Sequence, residues 1–246
     1  MIQTKLKGMG VALITPFKED ESVDYDALMR MVDYLLQNNA DFLCVLGTTA
    51  ETPTLTEDEK KKIQKMVIDR VNGRIPILLG VGGNNTRAIV KTLKNDDFTG
   101  VDAILSVVPY YNKPSQSGII EHFSAVAEAV ELPVILYNIP SRTGVNMSVD
   151  TVKTLARKYE NIVALKQSFG DMDLITDLKM NCPKDFTIYS GDDSLTLPML
   201  SVGAHGVISV ASHLFGKEIK SMIRNFKTGD VLTACLLYTS PSPRDL

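Results

Sequence analysis

Short apolar runs rich in Val, Ile and Leu recur along the chain at broadly regular intervals. They are Val11–Thr15, Phe42–Leu46, Ile75–Gly80, Ala103–Val108, Val134–Tyr137, Ile162–Leu165, Phe186–Tyr189 and Gly206–Val210. Each is about the length of a strand. Continuous rather than alternating apolar runs predict strands buried on both faces, hence parallel ones. Between them lie amphipathic stretches of helical period: Asp24–Gln37, Thr56–Val71, Gln116–Val130, Ser148–Lys158 and Gly216–Phe226. The second opens with a capping-box pattern, Thr56 followed by Glu59. Ser148 is the expected N-cap of the fourth, with Asp150 in its first turn.

Eight runs alternating with helical stretches suit a closed barrel or a doubly wound open sheet. The polar residues of chemical interest follow many different runs. That distribution matches the C-terminal rim of a barrel better than one switch-point crevice. The expected fold is therefore α/β, a (β/α)8 TIM barrel. Residues 1–230 are read as the catalytic barrel and 231–246 as a shortened C-terminal segment. Its tail, Tyr238–Leu246, reads YTSPSPRDL and is not expected to continue a helix.

A length of 246 residues suits one large domain, and 44% hydrophobic with 22% charged residues is ordinary for a globular chain. Net charge is −3 without a basic cluster, so neither nucleic acid nor a membrane surface is the expected partner. Cys44, Cys182 and Cys235 are far apart and form no C-x-x-C pair. An odd count without a signal-like start argues against a disulfide framework and for a cytoplasmic location. No run approaches transmembrane length.

Lys166 stands directly after the run Ile162–Leu165. A lysine leaving a sheet is ordinarily solvated, but a catalytic rim changes that reading. Amines held among apolar walls lose their charge more readily, and a free amine attacks a ketone to form an imine. Tyr137 closes the preceding run, where a phenol can move protons, or simply rest half-buried with its hydroxyl on a rim partner. Arg142, in S-R-T-G, carries a planar fork suited to carboxylates, or is a plain loop arginine. Gly47 allows a close backbone turn and Thr48 and Thr49 add hydroxyls, which suits an anion or a simple tight turn. Tyr110 and Tyr111 cannot share one face of an extended segment; either one enters a pocket and the other faces a partner subunit, or both simply pack the loop. The segment G-V-G-G-N-N, residues 80–85, lacks the further glycine and lysine of a phosphate loop. His122, His205 and His213 lie in unrelated settings, so no metal is expected, and no nucleophile elbow is present.

The motifs G-T-T-A-E, P-Y-Y-N-K-P, Y-N-I-P-S-R-T-G, A-L-K-Q-S, S-G-D-D and H-G-V-I-S-V occur in one order over residues 5–235. In that order the chain resembles the dihydrodipicolinate synthase family, pyruvate-dependent class I aldolases related to N-acetylneuraminate lyase. The resemblance implies that Lys166 forms the Schiff base with pyruvate. Tyr137 would shuttle protons, relayed by Thr48 and by Tyr111 of a neighbouring subunit. Thr48 and Thr49 would hold the pyruvate carboxylate and Arg142 that of aspartate semialdehyde, with Gly191 and Ile208 lining the pocket. It further implies no cofactor beyond the covalent imine, a homotetramer, and the committed step toward diaminopimelate and lysine. The sialic-acid lyases do not place S-R-T-G after Y-N-I-P, which favours the synthase over a sugar-acid aldolase. A non-catalytic binding relative would be expected to lose Lys166, Tyr137 or Thr48.

Two departures from the family pattern stand out. Where lysine-regulated members carry histidine and acidic side chains, this chain has Thr52, Pro53, Glu57, Lys60 and Ala88. Asn84 and Tyr110 are kept, and weak or absent lysine inhibition is implied. Family members also continue with several helices past the eighth barrel helix. That extension is expected to be missing here, with a foreign tail in its place.

Overall fold

A computed structural model of the protein describes residues 5–38 and 40–239. Strand and helix alternate through β1 (Gly8–Ala12), α1 (Tyr25–Gln37), β2 (Phe42–Val45), α2 (Glu57–Val71), β3 (Ile77–Gly80), α3 (Thr86–Asn95), β4 (Ala103–Val107) and α4 (Gln116–Glu128). Then follow β5 (Val134–Asn138), the short α5 (Pro140–Thr143), α6 (Val149–Lys158), β6 (Ile162–Gln167), α7 (Met172–Asn181), β7 (Thr187–Ser190), α8 (Thr196–Ser201), β8 (Gly206–Ser209), α9 (Ser212–Thr228) and α10 (Val231–Thr239). The eight strands are parallel and close into a barrel in chain order, with Gly8 of β1 opposite Gly206 of β8 at the seam. The (β/α)8 barrel read from the apolar runs is the observed fold.

The continuous apolar runs serve two layers, because successive side chains of a strand point to opposite faces. In β2, Phe42 and Cys44 belong to the cluster inside the barrel, whereas Leu43 and Val45 belong to the layer between barrel and helices. The same parity sends Ile135 and Tyr137 of β5 inward and Leu136 outward. In β6 it sends Ala164 inward and Leu165 outward. Each fully buried Leu, Ile, Val or Phe contributes roughly 1.5–3 kcal/mol, so both layers resist a slip of register.

Every expected strand is present, with shifted ends. The first lies at Gly8–Ala12 rather than Val11–Thr15. Its glycines are used because the Phe42 ring fills the space beside Gly10, where a Cβ would stand 2.2 Å from Phe42 Cε2. The expected helix starts hold. Thr56 Oγ1 accepts from Glu59 N at 3.3 Å while Glu59 Oε2 accepts from Thr56 N at 2.8 Å, and Ser148 Oγ accepts from Thr151 N at 3.2 Å. Helices α3, α7, α8 and α10 were not among the stretches expected from periodicity. The segment after the eighth barrel helix also departs from expectation. Tyr238 and Thr239 continue helix α10, and the Tyr238 hydroxyl donates to the Ser194 carbonyl at 2.5 Å. This helix is apolar on all sides and so lacks an amphipathic signature. The rest of the expected Ser/Pro tail, residues 240–246, lies outside the described residues. No described helix is long and apolar enough to cross a membrane.

Helices α3 and α4 meet at a buried imidazole. His122 Nδ1 lies 2.8 Å from Thr86 Oγ1, its ring stands edge-on to Phe123, and Nε2 has no partner among the described residues. Burial pushes its pKa down to about 4. His205 is also pushed down to about 4, by burial and then by the cations of Lys179, Lys227 and Lys7. The unfolded chain takes up these protons near the ordinary value of about 6.5, while the folded chain resists until about 4. Stability is therefore full above about pH 6.5 and falls as pH drops toward 4. Urea midpoints measured across that window should decline, and His122→Asn should flatten part of the slope. A parent midpoint constant from pH 6.5 to 4 would refute this.

Candidate active site

Side-chain parity brings Lys166 into the barrel. It is the penultimate residue of β6, in phase with Ala164, and only 4% exposed. Sequence placed it just past the strand; its register partners, Tyr137 on β5 and Tyr189 on β7, hold it within the sheet. The ammonium lies over the face of the Tyr137 ring, 4.2 Å from the centroid. Among the described residues no carboxylate pairs with it. A cation on an aromatic face gains roughly 0.5–2 kcal/mol, far less than a buried ion pair would demand in desolvation. The amine is thus held in place without being tied to an anion. Cys44, also inside the barrel, has its thiol pushed up by burial, an effect opposed by the Lys166 charge.

Two neighbours shape the lysine's slot. Gly191 follows β7, and its N–H donates to the Gln167 carbonyl at 2.8 Å. A Cβ there would stand 2.8 Å from Lys166 Cε and 2.0 Å from Ser168 Oγ, so the backbone itself forms this wall. Tyr189 closes the barrel below. Its hydroxyl donates to the Leu6 carbonyl, and burial pushes its pKa up to about 12. Ile208 is fully buried in the same interior cluster as Tyr137.

A cavity of about 270 Å³ opens on the rim, lined by Thr48, Tyr110, Tyr137 and Arg142 among others. Tyr137 is the shared element: one ring lines the cavity and carries the lysine. Thr48 reaches the cavity because β2 ends abruptly. Leu46 takes a left-handed φ of 55° and the chain then makes a short turn over Thr48–Ala50. A bulky residue in that region stores strain of order 1–3 kcal/mol. Arg142 sits on α5, which Gly144 ends at φ 73°; the guanidinium is exposed and has no ion pair among the described residues.

The expected residues therefore fall into three groups. Lys166, Tyr137, Gly191 and Ile208 meet inside the barrel; Thr48 and Arg142 share the cavity wall with Tyr137. Thr49 and Tyr111 do not line that cavity, and neither do Lys166, Gly191 and Ile208, which lie behind the Tyr137 ring instead of on the cavity wall where Gly191 and Ile208 were expected. Thr49 is half-buried, and Tyr111 is 87% exposed with φ 70°. Of the tyrosine pair, Tyr110 is the one facing the cavity. Sequence reading missed Tyr189, Asn138 and Gln167, all detectable from strand parity once Lys166 is singled out. Among the described residues no group of three His, Cys, Asp or Glu is placed to hold a metal ion.

Residues 5–241 match the Dihydrodipicolinate synthetase family. A 4-hydroxy-tetrahydrodipicolinate synthase of Phocaeicola vulgatus is 61% identical over 238 residues, covering 97% of this chain and 80% of the relative. The crystal structure of dihydrodipicolinate synthase from Aquifex aeolicus superposes with a TM-score of 0.91 at 47% identity, covering 95% of this chain and 79% of that one. A monomeric dihydrodipicolinate synthase variant also superposes at 0.91, with 35% identity, over 96% of this chain and 79% of that one.

The close wall at Gly191 yields a test. Gly191→Ala should slow borohydride trapping of Lys166 with a small keto acid by about tenfold or more, since a displaced amine loses its attack geometry. Circular dichroism should still show the barrel. Trapping at the parent rate would mean that the lysine stem has room to spare.

Proposed function

The chain belongs to the dihydrodipicolinate synthetase family, and from that premise we propose how its residues divide the work of a Schiff-base-forming lyase. The reaction condenses pyruvate with L-aspartate 4-semialdehyde to give 4-hydroxy-tetrahydrodipicolinate, the committed step of lysine and diaminopimelate biosynthesis. The observation that carries the reading is the buried Lys166 amine on the Tyr137 ring, beside a cavity walled by Thr48 and Arg142.

The Lys166 nitrogen attacks the keto carbon of pyruvate, and loss of water leaves an imine. The protonated imine nitrogen then accepts the electron pair released when a methyl proton departs, giving an enamine. The enamine carbon forms a bond to the aldehyde carbon of the second substrate, whose oxygen takes up a proton. The amino group of that substrate then attacks the imine carbon, closing the ring and releasing Lys166. Tyr137 carries the protons, with Thr48 next in the relay. Thr48 and Thr49 take the pyruvate carboxylate, Arg142 takes that of the semialdehyde in a bidentate pair, and Gly191 and Ile208 confine the imine. The imine nitrogen is the electron sink, so the chemistry calls for no metal or organic cofactor.

Tyr111 completes the relay from a second copy of the chain, in keeping with its 87% exposure and strained backbone. We assign the working form as a homotetramer in the cytoplasm. A sugar-acid aldolase and a non-catalytic binder are the weaker readings. Arg142 on its fixed loop suits a short carboxylated aldehyde, and Lys166, Tyr137 and Thr48 are all retained.

Intact-mass spectrometry after borohydride reduction with pyruvate should give one pyruvate-sized adduct per chain, absent in Lys166→Ala. No adduct on folded parent protein would overturn the assignment. Lysine inhibition should be weak. Lys60 lines the cavity beside Thr52 and Pro53, with its ammonium 2.8 Å from Glu57 Oε1, and would repel an incoming amino group. Initial rates with added L-lysine should change by less than the ~5-fold of an ordinary effector; strong inhibition would refute this.

A further inference from the structure

Directly behind Tyr137 and Lys166, on the outward face of the same two strands, lies a pair of buried amides. Asn138 and Gln167 are 1% and 0% exposed and stand opposite each other in the register next to Tyr137↔Lys166. The Asn138 side chain has a determined orientation. Its Oδ1 accepts from the backbone N–H of Met147 at 3.1 Å. Its Nδ2 is then left to donate to Gln167 Oε1 at 3.0 Å and to Asn146 Oδ1 at 2.6 Å. One amide therefore ties strand β6 to both ends of the 138–147 segment that carries Arg142.

The far end of that segment is held a second time. Gln116, at the start of α4, donates from Nε2 to the Asn146 carbonyl at 2.8 Å and accepts at Oε1 from Ser148 N at 2.9 Å. Within the segment, the single hydroxyl proton of Thr143 is shared between the carbonyls of Val145 at 2.9 Å and Ile139 at 3.1 Å, which closes α5 on itself. The loop is thus a small rigid body clamped at its base, and the clamp is bonded to the strand position adjoining the reactive lysine. Buried and largely satisfied polar networks of this kind specify one geometry, because breaking any bond strands a desolvated partner.

We propose that Asn138, with Gln167 and Asn146, is a positioning device that sets the distance between the Arg142 guanidinium and the Lys166 amine, and thereby selects the carboxylated aldehyde. None of the three side chains lines the cavity. The device acts on the second half of the reaction: pyruvate is captured at Lys166 and Thr48, whereas only the aldehyde needs Arg142. This division rests on the roles given to Lys166 and Arg142 above.

The test uses Asn146→Ala, which removes one acceptor at a half-buried position, alongside the more disruptive Asn138→Ala. In Asn146→Ala the yield of pyruvate trapped by borohydride should stay within about twofold of the parent. KM for aspartate semialdehyde should rise by about tenfold or more, with kcat less affected. Combined with Arg142→Lys, the two losses should be less than additive, because the clamp works through that arginine. Hydrogen exchange of amides 139–148 should speed up in both single variants while that of the β6 amides does not. Equal loss in pyruvate trapping and aldehyde KM, or full additivity with Arg142→Lys, would reduce the network to a structural role and overturn the proposal. If the parent itself fails to turn over the semialdehyde, the reaction assignment falls. The clamp is then judged by exchange alone, and unchanged protection of 139–148 in Asn146→Ala would overturn it.

Discussion

The buried contact between the Lys166 ammonium and the Tyr137 ring is the constraint on which the site depends. Inside a barrel, a lysine normally demands a counter-ion or an exit to water. Here it has an aromatic face, and the register Tyr137↔Lys166 keeps it there. A carboxylate in that position would favour a paired ammonium, whose nitrogen has no lone pair to attack a carbonyl. An aromatic face holds the cation while leaving the nitrogen's reactivity open to proton transfer. Gly191 narrows the slot around the lysine stem, since a Cβ there would stand 2.8 Å from Lys166 Cε.

From this contact the division of labour across the sheet follows. Odd and even positions of β5 and β6 face different media: Tyr137 and Lys166 the reacting interior, Asn138 and Gln167 the layer beneath the helices. Adjacent residues on one strand are mechanically coupled though chemically separated. Rigidity can therefore be built with amides on the outer face without placing competing hydrogen-bond donors beside the imine. Gln167 Nε2 is left without a partner among the described residues. A donor of this kind is tolerated because Asn138, pinned by the Met147 N–H, dictates which way the Gln167 amide must face.

Much of this is legible in the amino-acid sequence. Continuous Val/Ile/Leu runs announced eight buried strands, and capping patterns at Thr56 and Ser148 marked helix starts that the structure repeats. Lys166 and Tyr137 were recognisable because polar residues follow apolar runs that feed one rim. The unread features share a physical cause. Helix α10 is apolar on all faces, so it has no period to detect, and α8 is only six residues long. The ends of β1 are hard to read because Gly8 and Gly10 look like strand breakers until the Phe42 ring is seen to fill the space beside Gly10. That contact joins residues far apart in the chain, and nothing local encodes it.

The same reasoning accounts for Thr49 and Tyr111, which stand apart from both the cavity and the Lys166 slot. Thr49 follows Thr48 in a 3-10 turn, whose three-residue period turns consecutive side chains about a third of a circle apart. Only one of two neighbouring threonines can then face the same wall, and that one is Thr48. Tyr111 is a different case. Its left-handed backbone is costly for a bulky residue, and its side chain is 87% exposed. That backbone turn sends it away from the wall that Tyr110, its neighbour in the chain, lines.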